Sequence, residues 1–286
     1  MIRHIMTAGN AQTRLWTPSE LTTPPTVWLN DQSRITITSL LVSSWFSLPK
    51  DNWDFTNASR PTPLSAGATD SLGGKRTLSF QGTAAHLSVG SGISGDIFRN
   101  TNAVWFMAIM KKIALDGSNT NRVVLFNSTI TSAVPRFCVR LGTATTKNTF
   151  QIQVRGSDAE STKTLADSSE LADTNFHIFM ATMSYITQEG KLYIDGVEVA
   201  SNSALTDSAA ATSDTGSVNA LDLCALNSTQ WADVVLGEVL IGTGSVPSTD
   251  ERYRLEGYLA HRWKSKALLP GGHQHETQAP RTLPWT

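Results

Sequence analysis

The chain has 286 residues, with 23 Lys and Arg against 24 Asp and Glu, a formal net charge of −1, and only 16% charged residues. A balance so close to neutral excludes nucleic acid as the main partner, because phosphate recognition concentrates Lys and Arg on one face. Folded as one unit, a chain of this length buries roughly three quarters of its unfolded surface, so neither a disulfide nor a structural metal is required.

Residues 1–15 show no clear period and read as an N-terminal arm. The opening Met1-Ile-Arg-His-Ile-Met-Thr-Ala is broken by polar residues before any apolar run develops, so a signal peptide is not expected and synthesis in a cytoplasm is. From Trp16 to Leu29 the chain is an extended lead-in, with Pro24 and Pro25 forbidding a helix. Residues 33–45 alternate apolar and polar, whereas 50–74, rich in Pro, Asn, Ser and Gly, are expected to be loop. Strands are expected at 75–82, 85–89, 103–112, 122–126, 136–141 and 150–155. The longest apolar stretch, Ala103-Val-Trp-Phe-Met-Ala-Ile-Met110, is too short to cross a bilayer and reads as a core strand, so no membrane insertion is expected. Segments 156–173 and 201–218 are polar and read as loops, with room for a short strand.

Between those loops the pattern is sharpest. Phe176-His-Ile-Phe-Met-Ala-Thr-Met-Ser is followed by Gly190-Lys-Leu-Tyr-Ile-Asp-Gly-Val-Glu-Val-Ala200. Leu192 and Ile194 alternate with Lys191 and Tyr193, and Asp195-Gly196 is a pair that readily takes the positive φ angles of a type I′ hairpin turn. Further strands are expected at 221–225 and 234–242. One helix, about 249–265, opens on the capping-box spacing Ser248-Thr-Asp-Glu251 and carries Leu255, Tyr258, Leu259, Arg262 and Trp263 on one stripe. Leu268-Leu-Pro-Gly-Gly272 closes it, and 273–286 form a polar tail. These elements predict an all-β, two-sheet antiparallel jelly-roll sandwich over residues 16–272, sealed by a C-terminal α-helix.

Several residues invite a chemical reading. Cys138 and Cys224 sit in strand-like runs and are expected to be buried, reduced thiols. Acids cluster in loops (Asp158, Glu160, Asp167, Glu170, Asp173) or stand alone (Glu198, Glu238), and solvated charge accounts for them. No Gly-x-Ser-x-Gly elbow is present, and His177 is expected to be a satisfied core histidine, so no catalytic residue is assigned and the chain is not expected to be an enzyme. The oxygen-rich loop with Asp116, Asn119 and Asn121 lacks the acid count of a defined calcium site and reads more simply as an Asx turn. His273 and His275 could present imidazole pairs to a metal in a symmetric oligomer. No cofactor is required, and calcium is the one ion these groups raise. Trp53, Phe55 and Trp231 are the candidates for rings exposed to stack on a sugar.

Four blocks in order resemble one family. They are Trp16-Thr-Pro-Ser-Glu-Leu with Val27-Trp-Leu-Asn-Asp31; Val42-Ser-Ser-Trp45, Arg60-Pro-Thr62 and Gly74-Lys-Arg-Thr-Leu-Ser-Phe-Gln-Gly82; the 176–200 hairpin; and Glu256-Gly-Tyr-Leu-Ala-His-Arg-Trp263 with Leu269-Pro-Gly-Gly-His273. Together they are similar to the laminin-G-like, concanavalin A-like lectin/glucanase domains found in tailed-bacteriophage structural proteins. That family often carries Asp where this chain has Asn30 and Gln81. The resemblance implies a non-enzymatic virion component, either a capsid decoration or a tail/fibre module. Its partners would be other virion proteins and further copies of itself. Ile2, Ile5, Met6 and Trp285 would anchor the free terminal segments on neighbouring subunits. A lectin-like adhesin for a host-surface glycan is the alternative. Glycoside hydrolysis ranks third, because the family's glucanases use a Glu-x-Asp-x-x-Glu strand that this chain lacks.

Overall fold

The computed structural model describes residues 14–33, 35–38, 41–48, 54–56, 62–64, 71–80, 85–89, 97–98, 100–113, 123–129, 132–142, 148–157, 160–207, 218–226 and 230–282. In chain order the strands begin with β1 (Val27–Leu29), β2 (Ile35–Thr38), β3 (Leu41–Phe46), β4 (Asp54–Thr56), β5 (Thr62–Leu64), β6 (Thr77–Phe80) and β7 (Leu87–Val89). The middle of the chain forms β8 (Ala103–Lys112), β9 (Val123–Thr129), β10 (Ser132–Leu141), β11 (Phe150–Val154), β12 (Lys163–Ala166), β13 (His177–Ser184), β14 (Glu189–Ile194) and β15 (Val197–Asn202). Then come β16 (Val218–Leu223), β17 (Ala225–Leu226), β18 (Gln230–Trp231), β19 (Val234–Thr243) and α1 (Thr249–Arg262), the single α-helix among the described residues.

These strands form two antiparallel sheets and a small ribbon, so the all-β sandwich with one helix is what the chain adopts. The eight-stranded sheet runs β15-β14-β13-β8-β19-β6-β5, with β1 also paired to β19. The nine-stranded sheet runs β12-β11-β10-β9-β16-β7-β4-β3-β2. Alternate residues of both fill the space between them, among them Phe106, Ala108, Phe179 and Leu192 from one sheet and Leu125, Val139, Ile152 and Leu221 from the other. The expected loop at 50–74 contains two strands, β4 and β5. Each is three residues long, and Pro63 lies in one of them, so neither carries a readable period.

The outer faces of the two sheets differ. On the eight-stranded sheet Trp105, Met107, Ile109, Ile178, Met180, Tyr193 and Leu240 form a second apolar layer with Trp16, Leu21 and the helix residues Leu255, Tyr258, Leu259 and Trp263. The central strand β8 is therefore apolar on both sides, which is why its sequence reads as a continuous run. On the nine-stranded sheet the cross-strand register sets Gln153, Cys138, Phe126, Asp222, Ser88, Thr56, Ser44 and Thr36 in one row.

The hairpin turn forms as the sequence implies, with φ of 51° at Asp195 and 81° at Gly196. The capping box of α1 also forms. Ser248 Oγ accepts from Glu251 N–H at 3.3 Å, and Ser248 N–H donates to Glu251 Oε2 at 2.9 Å. The helix ends at Arg262, earlier than its periodicity suggests. Lys264 takes φ 53°, Lys264 N–H bonds His261 O, and Ser265 N–H bonds Ala260 O at 2.7 Å, closing a Schellman motif without glycine.

The C-terminal segment is not a free tail over its described length. Trp16 N–H bonds Pro280 O at 3.0 Å and Thr282 N–H bonds Arg14 O at 3.1 Å, so residues 280–282 lie against the start of the lead-in. His273 side-chain exposure is 1%. At Gly257 a Cβ would sit 2.5 Å from Cβ of His275, so the segment reaches the helix only where the side chain is absent.

Candidate functional site: a cleft at the helix N-terminus

Two polar clusters lie on the helix-covered face, one sealed and one open. The sealed one centres on Glu238. Opposite Met110 and Ile109, β19 has a register irregularity between Leu236 and Glu238. This bulge shifts the phase of the strand, so that Leu236 and Val239 both face the inter-sheet core while Glu238 turns toward α1. Glu238 is 0% exposed. Its Oε1 accepts from Trp28 Nε1 (2.5 Å), Tyr258 OH (3.0 Å) and Asn30 Nδ2 (3.4 Å), and its Oε2 from Trp263 Nε1 (2.7 Å) and Arg262 Nε (3.0 Å). Burial pushes the Glu238 carboxyl up, opposed by Arg262 and by these donors. Arg262 also pairs with Asp31, which Lys75 reaches at 3.3 Å. The solvated charge expected of Glu238 is therefore a buried structural carboxylate. A sequence signal existed: one acid, preceded by Gly237, inside Val234-Val-Leu-Gly-Glu-Val-Leu-Ile. Several residues of the blocks quoted above (Trp28, Asn30, Asp31, Lys75, Tyr258, Trp263) gather here. At Asn30 an amide suits the site where a second carboxylate would face Glu238.

The open cluster is a cleft of about 500 Å³ between the N-terminus of α1 and the outer face of β13 and β14. Strands supply Thr182, Ser184, Glu189, Lys191 and Tyr193; the β13–β14 turn supplies Ile186 and Thr187; the run into the helix supplies Gly244 to Thr249, with Arg252 beyond. Period-two alternation puts Thr182, Lys191 and Tyr193 on this face. Lys191 pairs with Glu189 at 2.9 Å, and that interaction raises the Lys191 ammonium. Glu189 is the one carboxylate in the lining.

Arg252 closes one side of the cleft. Its guanidinium carbon stands 4.4 Å from the ring centre of Tyr193 and 4.5 Å from that of Tyr253. Nη1 donates to Glu256 Oε1 at 2.6 Å and to Gly196 O at 3.3 Å, tying the hairpin turn to the helix. Glu256, 1% exposed, takes His273 Nε2 at 3.0 Å on its other oxygen. His273 Nδ1 accepts from His275 N–H at 3.1 Å, so the Nε2 hydrogen points at Glu256. His273 is thus a structural pin between tail and helix, and no group of three or more metal-ligating side chains occurs among the described residues.

At the far end of the hairpin His177 lies between two carboxylates, Nδ1 2.6 Å from Asp195 and Nε2 3.0 Å from Asp173. The bond to Asp195, only partly offset by burial, lifts its pKa to about 8. His177 is a satisfied histidine, as expected, but a charged one, and with both nitrogens engaged it has none free to act as a base.

The ring candidates fare differently. Phe55 is 0% exposed in the inter-sheet core, packed there because β4 turns its one large apolar residue inward, so it cannot stack on a ligand. Trp53, Asp116, Asn119, Asn121, Ile2, Ile5, Met6 and Trp285 lie outside the described residues, and Trp231 is described only as backbone of β18. Cys138 and Cys224 are buried free thiols, as expected.

No family model matches the chain, and no curated protein matches it in sequence. Among solved structures it is similar to a Trypanosoma rangeli sialidase in complex with sialic acid, with TM-score 0.56 and 12% identity over 82% of this chain and 33% of that one. It is also similar to the botulinum neurotoxin serotype D binding domain, with TM-score 0.50 and 11% identity over 84% of this chain and 52% of that one. The chain spans about a third to a half of the length of these structures. Likeness at such identity establishes the shared all-β sandwich.

Proposed function

We propose that this chain is a non-enzymatic recognition module that binds a saccharide in the cleft at the helix N-terminus. The cleft carries the reading: it is open, held between two rigid elements, and combines hydroxyls, an ion pair and an aromatic edge with apolar Ile186, Val246 and Pro247. Glycoside hydrolysis needs two carboxyls across the scissile bond, and the lining offers Glu189 alone, already held by Lys191. The two fold neighbours add support, one being a sialidase solved with sialic acid and the other a toxin's binding domain. The four sequence blocks that resemble tailed-phage proteins favour a virion as the setting, as capsid decoration or tail/fibre module. Other virion proteins and a homo-oligomer are the partners on that reading.

A panel of neutral and acidic oligosaccharides titrated calorimetrically against the intact chain tests the binding. Val246→Trp, which fills the cleft from its rim, is expected to abolish binding without changing the circular dichroism spectrum; undiminished binding by that variant would move the site elsewhere. Antibody-gold labelling of purified particles tests the setting. Label over the head at hundreds of copies favours decoration, label at the tail tip favours the adhesin, and no label sinks the virion reading.

A further inference from the structure

Resting on that reading of the cleft, we infer that its saccharide bears a carboxylate, and that Arg252 is the residue that recognises it. A guanidinium carries donors on Nε, Nη1 and Nη2, and the Nε and Nη2 hydrogens run parallel along one edge, spaced to meet both oxygens of a carboxylate. In Arg252 the Nη1 group is committed to Glu256 and Gly196 O, while Nε and Nη2 have no hydrogen-bond partner among the described residues. The group is also held still. Tyr193 and Tyr253 flank its carbon, Glu256 is buried behind it, and the side chain is only 12% exposed. A cation fixed by aromatic contacts and one ion pair, with its second donor edge unused in a cleft wall, is prepared for a planar anion at little cost in side-chain ordering.

Lys191 is paired with Glu189 and Arg252 with Glu256, so each cation of the lining is met by one carboxylate and the recognition rests on the geometry of the unused Arg252 edge. A carboxylated sugar meets that edge while its hydroxyls reach Thr182, Ser184 and Thr187. Tyr193 contributes as the ring beneath Arg252, and burial, the largest influence on it, raises the pKa of its phenol, which is hydrogen-bonded with Glu198.

The experiment uses the full chain with 15N-labelled arginine and four probes: 3′-sialyllactose, trigalacturonate, lactose and sodium sulfate. The carboxylated probes are expected to bind at least about tenfold more tightly than lactose and to shift the Arg252 Nε–Hε resonance. Glu189→Gln removes the exposed negative charge of the lining without touching the helix contacts. It is expected to tighten the carboxylated probes by about threefold relative to lactose. Arg252→Lys keeps the charge but not the fork and is expected to remove the preference; should it unfold the chain, the resonance and Glu189→Gln still decide. Equal binding of lactose and the acidic probes, with an unmoved Nε signal, would leave the saccharide reading standing and overturn this inference. A shift with sulfate but with no saccharide would overturn both.

Discussion

The two outer faces of the sandwich solve the same problem in different ways. The eight-stranded sheet is apolar on its outer side and is covered by α1, the lead-in and the C-terminal segment, with the Glu238 carboxylate buried beneath them. The nine-stranded sheet sets mainly Ser, Thr, Gln and Asp, with Cys138 and Phe126 among them, in a row on its outer side, and Ser88 Oγ donates to Asp222 at 2.5 Å. Apolar packing brings the helix to the first face, but apolar contact is not directional. Of the five donors converging on Glu238, Tyr258, Arg262 and Trp263 fix the helix's position and rotation, and that position frames the cleft. In the row on the nine-stranded sheet Cys138, Asp222 and Ser44 are buried, and Ser88 holds Asp222 by a bond across strands.

Breaking the hub should therefore cost far more than breaking the row. Glu238→Ala leaves the Trp28, Tyr258 and Trp263 donors unpaired in a buried site and takes from Arg262 one of its two carboxylates, and is expected to destabilise by about 3–5 kcal/mol. Ser88→Ala is expected to cost about 1 kcal/mol. Urea unfolding of both variants measures the gap, and equal losses would refute the contrast.

A second substitution separates the helix from its C-terminal cover. Gly257→Ala forces His275 outward and with it His273 off Glu256, for an expected loss of about 1–3 kcal/mol. Tryptic cleavage at Arg281 should become faster while the sandwich core keeps its near-ultraviolet spectrum. Unchanged cleavage would show that the segment yields by local adjustment.

The smallest effect is a pH dependence at the edge of the helix-covered sheet. The folded pKa of His177, about 8, lies above the ordinary 6.5, so its contribution is fully present below about pH 6.5 and fades as pH rises through 8. Discounted for the part-exposed Asp173, the loss between pH 6 and pH 9 is expected to be about 1 kcal/mol, and absent in His177→Asn. A wild-type stability that holds or rises over this range would contradict the charged clamp.

Much of the fold was legible in the residues. The Asp195-Gly196 turn, the period-two strands around it, the apolar run of β8 and the Ser248/Glu251 capping box each depend on contacts within a few residues. β4 and β5 were not legible, being three residues each and closed by partners far along the chain. The site was less legible. Phe55 looked like an exposed ring because its neighbours are polar, yet one inward position in β4 placed it in the core. Glu238 looked solvated because a lone acid carries no period, and the 273–286 tail looked free because composition does not register Gly257 making room for His275.

Local sequence thus determined which segments are strands, where the hairpin turns and where the helix starts, since those choices rest on backbone dihedrals, alternation and nearby capping. Tertiary structure alone decided which polar residues are buried and which line the cleft. Arg252 meets Tyr193, and Glu238 meets Trp28, across sequence separations of 59 and 210 residues. Such contacts follow from how a bulge re-phases a strand and how a helix settles on a sheet, and no local pattern encodes either.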